Sequence, residues 1–246
     1  VDTLSTLPEW FGENYNYYAR NGACFISISA SDPDAFSGVP MENIAAYSKA
    51  RSIALKEYSE AATANKVRWC VLSYPTLAWA KKVFPDATDA DALTKLGDAI
   101  ISAVRVDTAD PVEAWNNHNA AIAKNLDFMN KNNFKSLHLK SSNGTDLTVE
   151  LPENHYWAGG SEADTKGILF NANMPTEEVF TLPKRTGVNG IVFSSKPLSY
   201  NGNLINDFSI TFKDGKAIDF DAKEGKEVLS QLLDTDEGAR YLGEIA

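Results

Sequence analysis

The chain reads as an α/β protein in which an N-terminal layer domain, built on a parallel-sheet crossover, precedes a mostly β (α+β) portion. Three observations predict this. A strand, a long helix and a second strand follow one another up to Tyr74, helical periodicity continues to about Asn130, and beyond Phe134 the apolar period shortens to two residues. A strand–helix–strand unit within one sheet is almost always parallel and right-handed. The change of period places a boundary near residue 134, giving an N-terminal α/β domain over 1–134 and a second unit over 135–246.

Each element has its own warrant. Leu4–Arg20 spaces Trp10, Phe11, Tyr15 and Tyr18 about one turn apart and ends at Asn21-Gly22, a left-handed stop, so it is a helix. Ala23–Ala30 is short, apolar and partly β-branched, and Ser31-Asp32-Pro33-Asp34 breaks it with turn chemistry. From Met41 to Ala64, residues Ile44, Tyr47, Ala50, Ala54, Tyr58 and Ala61 step by three and four along one face of a long helix. Arg68–Tyr74, closed by Pro75, is a second short buried strand. Helices are expected at Thr76–Phe84, Asp89–Arg105 and Pro111–Asn130, the last with Val112, Trp115, Ile122, Leu126 and Met129 on one stripe.

Downstream, Lys135–Lys140 and Thr145–Leu151 are joined through Ser142-Asn143-Gly144 as a hairpin. Leu147, Val149 and Leu151 alternate with Thr148 and Glu150, which buries one face and wets the other. Further strands are read at Gly167–Asn171, Gly190–Ser194 and Ser209–Asp221, the last folding back at Asp214-Gly215. A final helix over Glu224–Leu233 packs through Val228, Leu229, Leu232 and Leu233, and no internal repeat is visible.

Composition excludes several functions. The 246 residues hold 23 Lys plus Arg against 33 Asp plus Glu, a formal charge of −10. This is the wrong sign for neutralising phosphates, so neither nucleic acid nor an anionic membrane is an expected partner. No run approaches the ~20 apolar residues of a membrane helix. With no signal-peptide pattern, a cytoplasmic location is expected. Cys24 and Cys70 lie in apolar contexts and are read as reduced, buried core residues. The chain begins at Val1 without an initiator Met and stops at Ile245-Ala246 as an apolar segment begins, so it reads as a piece cut at both ends.

Most candidate chemistry is bland. H-E-x-x-H, Cys-x-x-Cys, G-x-S-x-G, P-loop and dinucleotide-binding patterns are all missing. His118, among Asn116, Asn117 and Asn119, is an exposed or structural histidine, while His138 lies in a strand and His155 in a loop. Asp32, Asp34, Asp89 and Asp91 fit turns and helix starts, and Asp219 and Asp221 share a solvated strand face. Asn143-Gly144-Thr145 is formally a glycosylation sequon and is read as the hairpin turn.

Two acidic segments differ. In Asn173–Pro183, Glu177 and Glu178 sit between Pro175 and the apolar Val179-Phe180, which directs at least one carboxylate toward an interior or cleft. That placement is costly unless a metal ion or a substrate ammonium receives the charge. The residues equally fit a helix or turn start capped by Thr176 with both Glu in its first turn. In Arg240–Ala246, Glu244 lies in an apolar strand beside Gly243 and can serve either Arg240 or a metal.

These segments resemble the thermophilic-type metalloaminopeptidase family, the group of aminopeptidase T, aminopeptidase S and PepS. The resemblance rests on the Gly144–Pro152 hairpin with His155, Trp157 and Gly159-Gly160, on Asn173-Met174-Pro175-Thr176-Glu177-Glu178-Val179-Phe180-Thr181-Leu182-Pro183, its most specific motif, and on Tyr241-Leu242-Gly243-Glu244, in that order, and it runs over essentially the whole chain. It implies a homodimeric exopeptidase that removes N-terminal residues from peptides by water activated at two divalent metal ions, zinc or cobalt, with magnesium or manganese as alternatives. It also implies Glu178 and Glu244 as metal ligands, with Glu177 as the second choice for the first of them. Glu177 is otherwise the candidate catalytic residue, read as orienting the water, binding the substrate ammonium or only capping a turn. The remaining ligands, two His, an Asp and a Tyr, are expected beyond Ala246, and His118, His138 and His155 do not match their positions. The second unit would then be the first part of the metal-binding catalytic domain. Two other readings compete: a non-catalytic peptide-binding or dimerisation fragment, and an unrelated α/β small-molecule-binding protein.

Overall fold

Residues 2–246 are described by a computed structural model, in which the chain forms two compact units. One comprises the residues up to Asn117 together with Ser161–Thr176; the other comprises His118–Gly160 and Glu177–Ala246.

The first unit begins with α1 (Glu9–Arg20) and β1 (Phe25–Ser29). The long helix expected over Met41–Ala64 is two helices, α2 (Met41–Ala54) and α3 (Lys56–Thr63). Asn16 of α1 stabilises the break. Its Nδ2 donates to the Ala54 carbonyl at 3.2 Å and its Oδ1 accepts the Tyr58 N–H at 3.0 Å, substituting for backbone bonds at the junction. A Cβ on Gly12 would overlap the Ala54 carbonyl oxygen, so glycine allows α1 to approach this closely.

Next comes β2 (Trp69–Ser73), parallel to β1 from Phe25↔Trp69 to Ser29↔Ser73, as the crossover reading requires. Helices α4 (Leu77–Val83) and α5 (Asp89–Ala103) follow. Thr76 and Thr88 cap them by accepting the N–H groups of Trp79 and Asp91, and Ala80, Ala92 and Leu96 form their shared core. At the start of β1, Phe25 packs against Tyr58, with ring centroids 4.7 Å apart. The rest of the strand is exposed, Ile26 and Ile28 by 72% and 62%. Cys24 is exposed too and Cys70 only half-buried, which corrects the reading of both as core residues. Periodicity identified an apolar strand but not which of its faces is covered.

Helix α6 (Pro111–Asn132) starts behind an Asp110 cap that accepts the Glu113 N–H at 2.9 Å, and the division between units falls within it, after Asn117. Strands β3 (Ser136–Lys140), β4 (Asp146–Glu150) and β5 (Ala158–Gly159) belong to the second unit. The chain then returns to the first unit for β6 (Ser161–Ala163), β7 (Leu169–Asn171) and β8 (Asn173–Met174). Strand β8 joins the parallel sheet beside β2, pairing Val71 with Asn173, and the Met174–Pro175 peptide bond is cis. The units therefore do not follow a single cut near residue 134, because β8 takes its hydrogen bonds from β2, far earlier in the chain.

The second unit resumes with β9 (Val179–Phe180), β10 (Val188–Phe193), β11 (Leu198–Tyr200), β12 (Asn203–Lys213), β13 (Lys216–Glu224) and α7 (Lys226–Leu233). Its main sheet is antiparallel in the order β11-β12-β10-β4-β3, with β13 on β12. The alternation read over the hairpin holds. Leu147, Val149 and Leu151 are buried and pack with Trp157, Val188, Ile205, Leu229 and Leu233.

Candidate active site

The carboxylates singled out by the sequence lie around a small antiparallel layer of the second unit. Strand β9 pairs with β5 through Ala158↔Phe180 and Gly159↔Val179. On its other side Thr181 and Ile245 form a bridge, and the Thr181 hydroxyl donates to the Tyr156 carbonyl at 2.8 Å. Alternation gives this layer two faces. The inner one carries Trp157, Thr181 and Ile245, exposed by only 1%, 3% and 7%. The outer face carries Glu178, Phe180 and Leu182.

Glu244 precedes Ile245 and therefore falls on this outer face, opposite Leu182. Glu178 and Glu244 share the face but occupy rows four residues apart along β9. Both are exposed. The expected inward carboxylate is therefore not observed among the described residues: Glu177, too, keeps a side chain 58% exposed. Trp157, Thr181 and Ile245 take the buried face of the layer, which leaves Glu178 and Glu244 on the other. The alternative partner for Glu244 is engaged elsewhere, since Arg240 grips Asp234 Oδ1 with Nε at 2.9 Å and Nη2 at 2.7 Å. Nor do residues 241–246 form a full strand; they make single bridges at Tyr241 and Ile245.

Glycine makes the packing behind Glu178 feasible. Gly159 has φ +151°, and a Cβ there would overlap the Glu178 carbonyl oxygen. No helix begins at Thr176, so the capped-helix alternative for Glu177 and Glu178 is not what forms.

His118 is the residue that sequence reasoning undervalued. Its side chain is 13% exposed, and its Nε2 lies 3.7 Å from Glu177 Oε2. A signal was present, because His118 is three residues after Trp115 and four before Ile122, both on the buried stripe of α6. His138 and His155 are engaged elsewhere, the first with Asp146 at 2.7 Å and the second with the Pro152 carbonyl at 2.8 Å.

The whole chain, residues 1–246, matches the family described as thermophilic metalloprotease (M29). The chain belongs to the thermophilic metalloprotease family. It is 44% identical over 245 residues to aminopeptidase AmpS of Bacillus subtilis (strain 168), covering 100% of this chain and 60% of that protein. It is 46% identical over 245 residues to aminopeptidase 2 of Geobacillus stearothermophilus, covering 100% of this chain and 59% of that protein. The structure of wild-type AmpT from Thermus thermophilus superposes with a TM-score of 0.91 at 40% identity, over 99% of this chain and 59% of that one. The chain thus spans about 60% of the length of the curated relatives it matches.

Membership in a metalloprotease family implies divalent metal ions, and the donor chemistry of the outer face can be tested against that. Carboxylate oxygens suit divalent ions, and Glu178 and Glu244 are outward and sterically accessible. Among the described residues, no three His, Cys, Asp or Glu side chains are grouped as a metal centre would need. Glu178 and Glu244 thus offer oxygen donors of the kind that divalent ions accept. No helix among the described residues is long and apolar enough to cross a membrane.

Proposed function

We propose that the whole protein is a metal-dependent aminopeptidase and that this stretch contributes one wall of its active site. The observation that carries the reading is the outer face of the β5–β9 layer, where two outward carboxylates sit in a chain that matches aminopeptidases from end to end. Glu178 and Glu244 would hold metal, with the remaining ligands supplied by protein outside this chain. Two ions, zinc or cobalt, would be bound. When bound, they supply Lewis acidity and lower the pKa of a water toward about 7.

The chain's own residues do the rest. The acidic face attracts the α-ammonium of a peptide's free N-terminus, which restricts cleavage to the terminal residue. Glu177, beside Glu178, orients the reacting water or receives its proton. A cytoplasmic homodimer acting on peptides completes the proposal.

Purified whole protein should hydrolyse an aminoacyl-p-nitroanilide, lose activity to a chelator and regain it with zinc or cobalt. Glu178→Gln should abolish most of that activity and lower the metal content. Full turnover and unchanged metal stoichiometry in this variant would overturn the ligand assignment. The absence of a three-residue donor group among the described residues favours a second reading for the isolated stretch, a non-catalytic fragment. Assaying residues 1–246 beside the whole protein separates the two, because full turnover by the shorter chain would exclude the fragment reading.

A further inference from the structure

We propose that His118 is a positioning residue that holds Glu177 in its working orientation, an inference resting on the aminopeptidase reading above. A glutamate that must meet a reacting atom loses rate unless the freedom of its side chain is removed. His118 offers the restraint. Its ring is 13% exposed and its Nε2 stands 3.7 Å from Glu177 Oε2, so the ring edge faces the carboxylate.

The helix carrying the ring is itself fixed to the layer that carries Glu177. Asn130 of α6 donates to the Trp157 carbonyl at 3.0 Å and accepts the Trp157 N–H at 2.9 Å, immediately before β5. One turn after His118, Ile122 abuts Gly160, where an added Cβ would meet its methyl group at 2.9 Å. The imidazole and the carboxylate are therefore mounted on one packed assembly: α6 sets the ring, β5 anchors α6, and β9 continues directly from Glu177-Glu178. A partner held so firmly fixes the orientation of its neighbour, as supporting partners do around catalytic groups generally.

The test uses the whole, metal-loaded protein and steady-state hydrolysis of an aminoacyl-p-nitroanilide. His118→Ala should lower kcat by about ten- to a hundredfold, the usual cost of losing such a supporting group, while KM stays within about threefold. His118→Gln should recover most of the loss, because its amide nitrogen reaches the place of Nε2, whereas His118→Leu, of similar bulk but without a donor, should not. The double variant His118→Ala/Glu177→Gln should be no slower than Glu177→Gln alone, since both changes remove one function. Thermal unfolding of each variant accompanies the kinetics, and the comparison of His118→Gln with His118→Leu decides the matter if the alanine variant fails to fold.

An unchanged kcat in His118→Ala, or losses that multiply in the double variant, overturns the proposal. Full kcat in Glu177→Gln overturns the role of Glu177 and the proposal with it, while chelator-sensitive turnover in that same variant leaves the aminopeptidase reading standing. A whole protein without turnover overturns both.

Discussion

Thr181 and Ile245 exchange both backbone hydrogen bonds, at 2.9 and 3.0 Å, and this one bridge ties the end of the chain to the strand that follows Glu178. Because residues alternate across such a pair, burying Thr181 and Ile245 turns Glu244 outward onto the face of Glu178. The position of a candidate ligand is thus set by a core contact on the opposite side of the layer.

Outward carboxylates should be dispensable for folding. Glu178→Gln and Glu244→Gln are expected to shift unfolding free energy by less than about 0.5 kcal/mol, as exposed substitutions usually do. Metal content of the whole protein should nevertheless fall in both. Denaturant titration and metal analysis on the same preparations check this, and a large stability loss with unchanged metal would contradict it.

Gly159→Ala should act on Glu178 without touching its side chain. The new methyl group collides with the Glu178 carbonyl oxygen at a backbone conformation that L-residues rarely adopt, so an overpacking cost of about 1–3 kcal/mol is expected. Displacement of the Glu178 backbone should weaken metal binding by the whole protein. A variant with wild-type stability and metal affinity would show that the approach is not tight.

Acid should weaken the first unit through Asp164. Its side chain is 6% exposed; Oδ1 accepts the Ile168 and Lys166 N–H groups at 2.8 Å each, and Arg68 Nε lies 3.4 Å from Oδ2. The Ile168 N–H foremost, then the Lys166 N–H and the Arg68 charge, hold the carboxyl below its usual range against the opposing effect of burial. A carboxyl depressed in the folded state stabilises it above the unfolded value of about 3.9, and that contribution disappears as pH falls through the lower folded value. Asp164→Asn keeps an acceptor but cannot titrate. The stability gap between wild type and variant should therefore narrow from pH 6 toward about pH 2, and a gap constant across that range would refute the assignment.

In the second unit, Leu229 of α7 is 2% exposed within the main core. Leu229→Ala should cost about 2–5 kcal/mol through lost transfer energy and the residual cavity. Urea unfolding measures it, and a loss below about 1 kcal/mol would mean that the core closes over the gap.

Much of this was legible because it depends on neighbours in the chain. The parallel β1–β2 crossover, the helix start at Asp89, the alternating Leu147–Leu151 strand and the fold-back at Asp214-Gly215 all follow from short-range periodicity and turn chemistry. So does the location of the Thr176-Glu177-Glu178 segment as the place to look. What the tertiary structure alone decided depends on remote partners. Asn16 splits the helix expected through Ala64, β8 leaves its neighbours in sequence to pair with β2, and Glu178 and Glu244 face outward although their apolar surroundings suggested burial. His118 meets Glu177 for the same reason. Periodicity reports which face of an element is apolar. Which distant segment covers that face, and which polar group it brings along, is settled only when the elements pack.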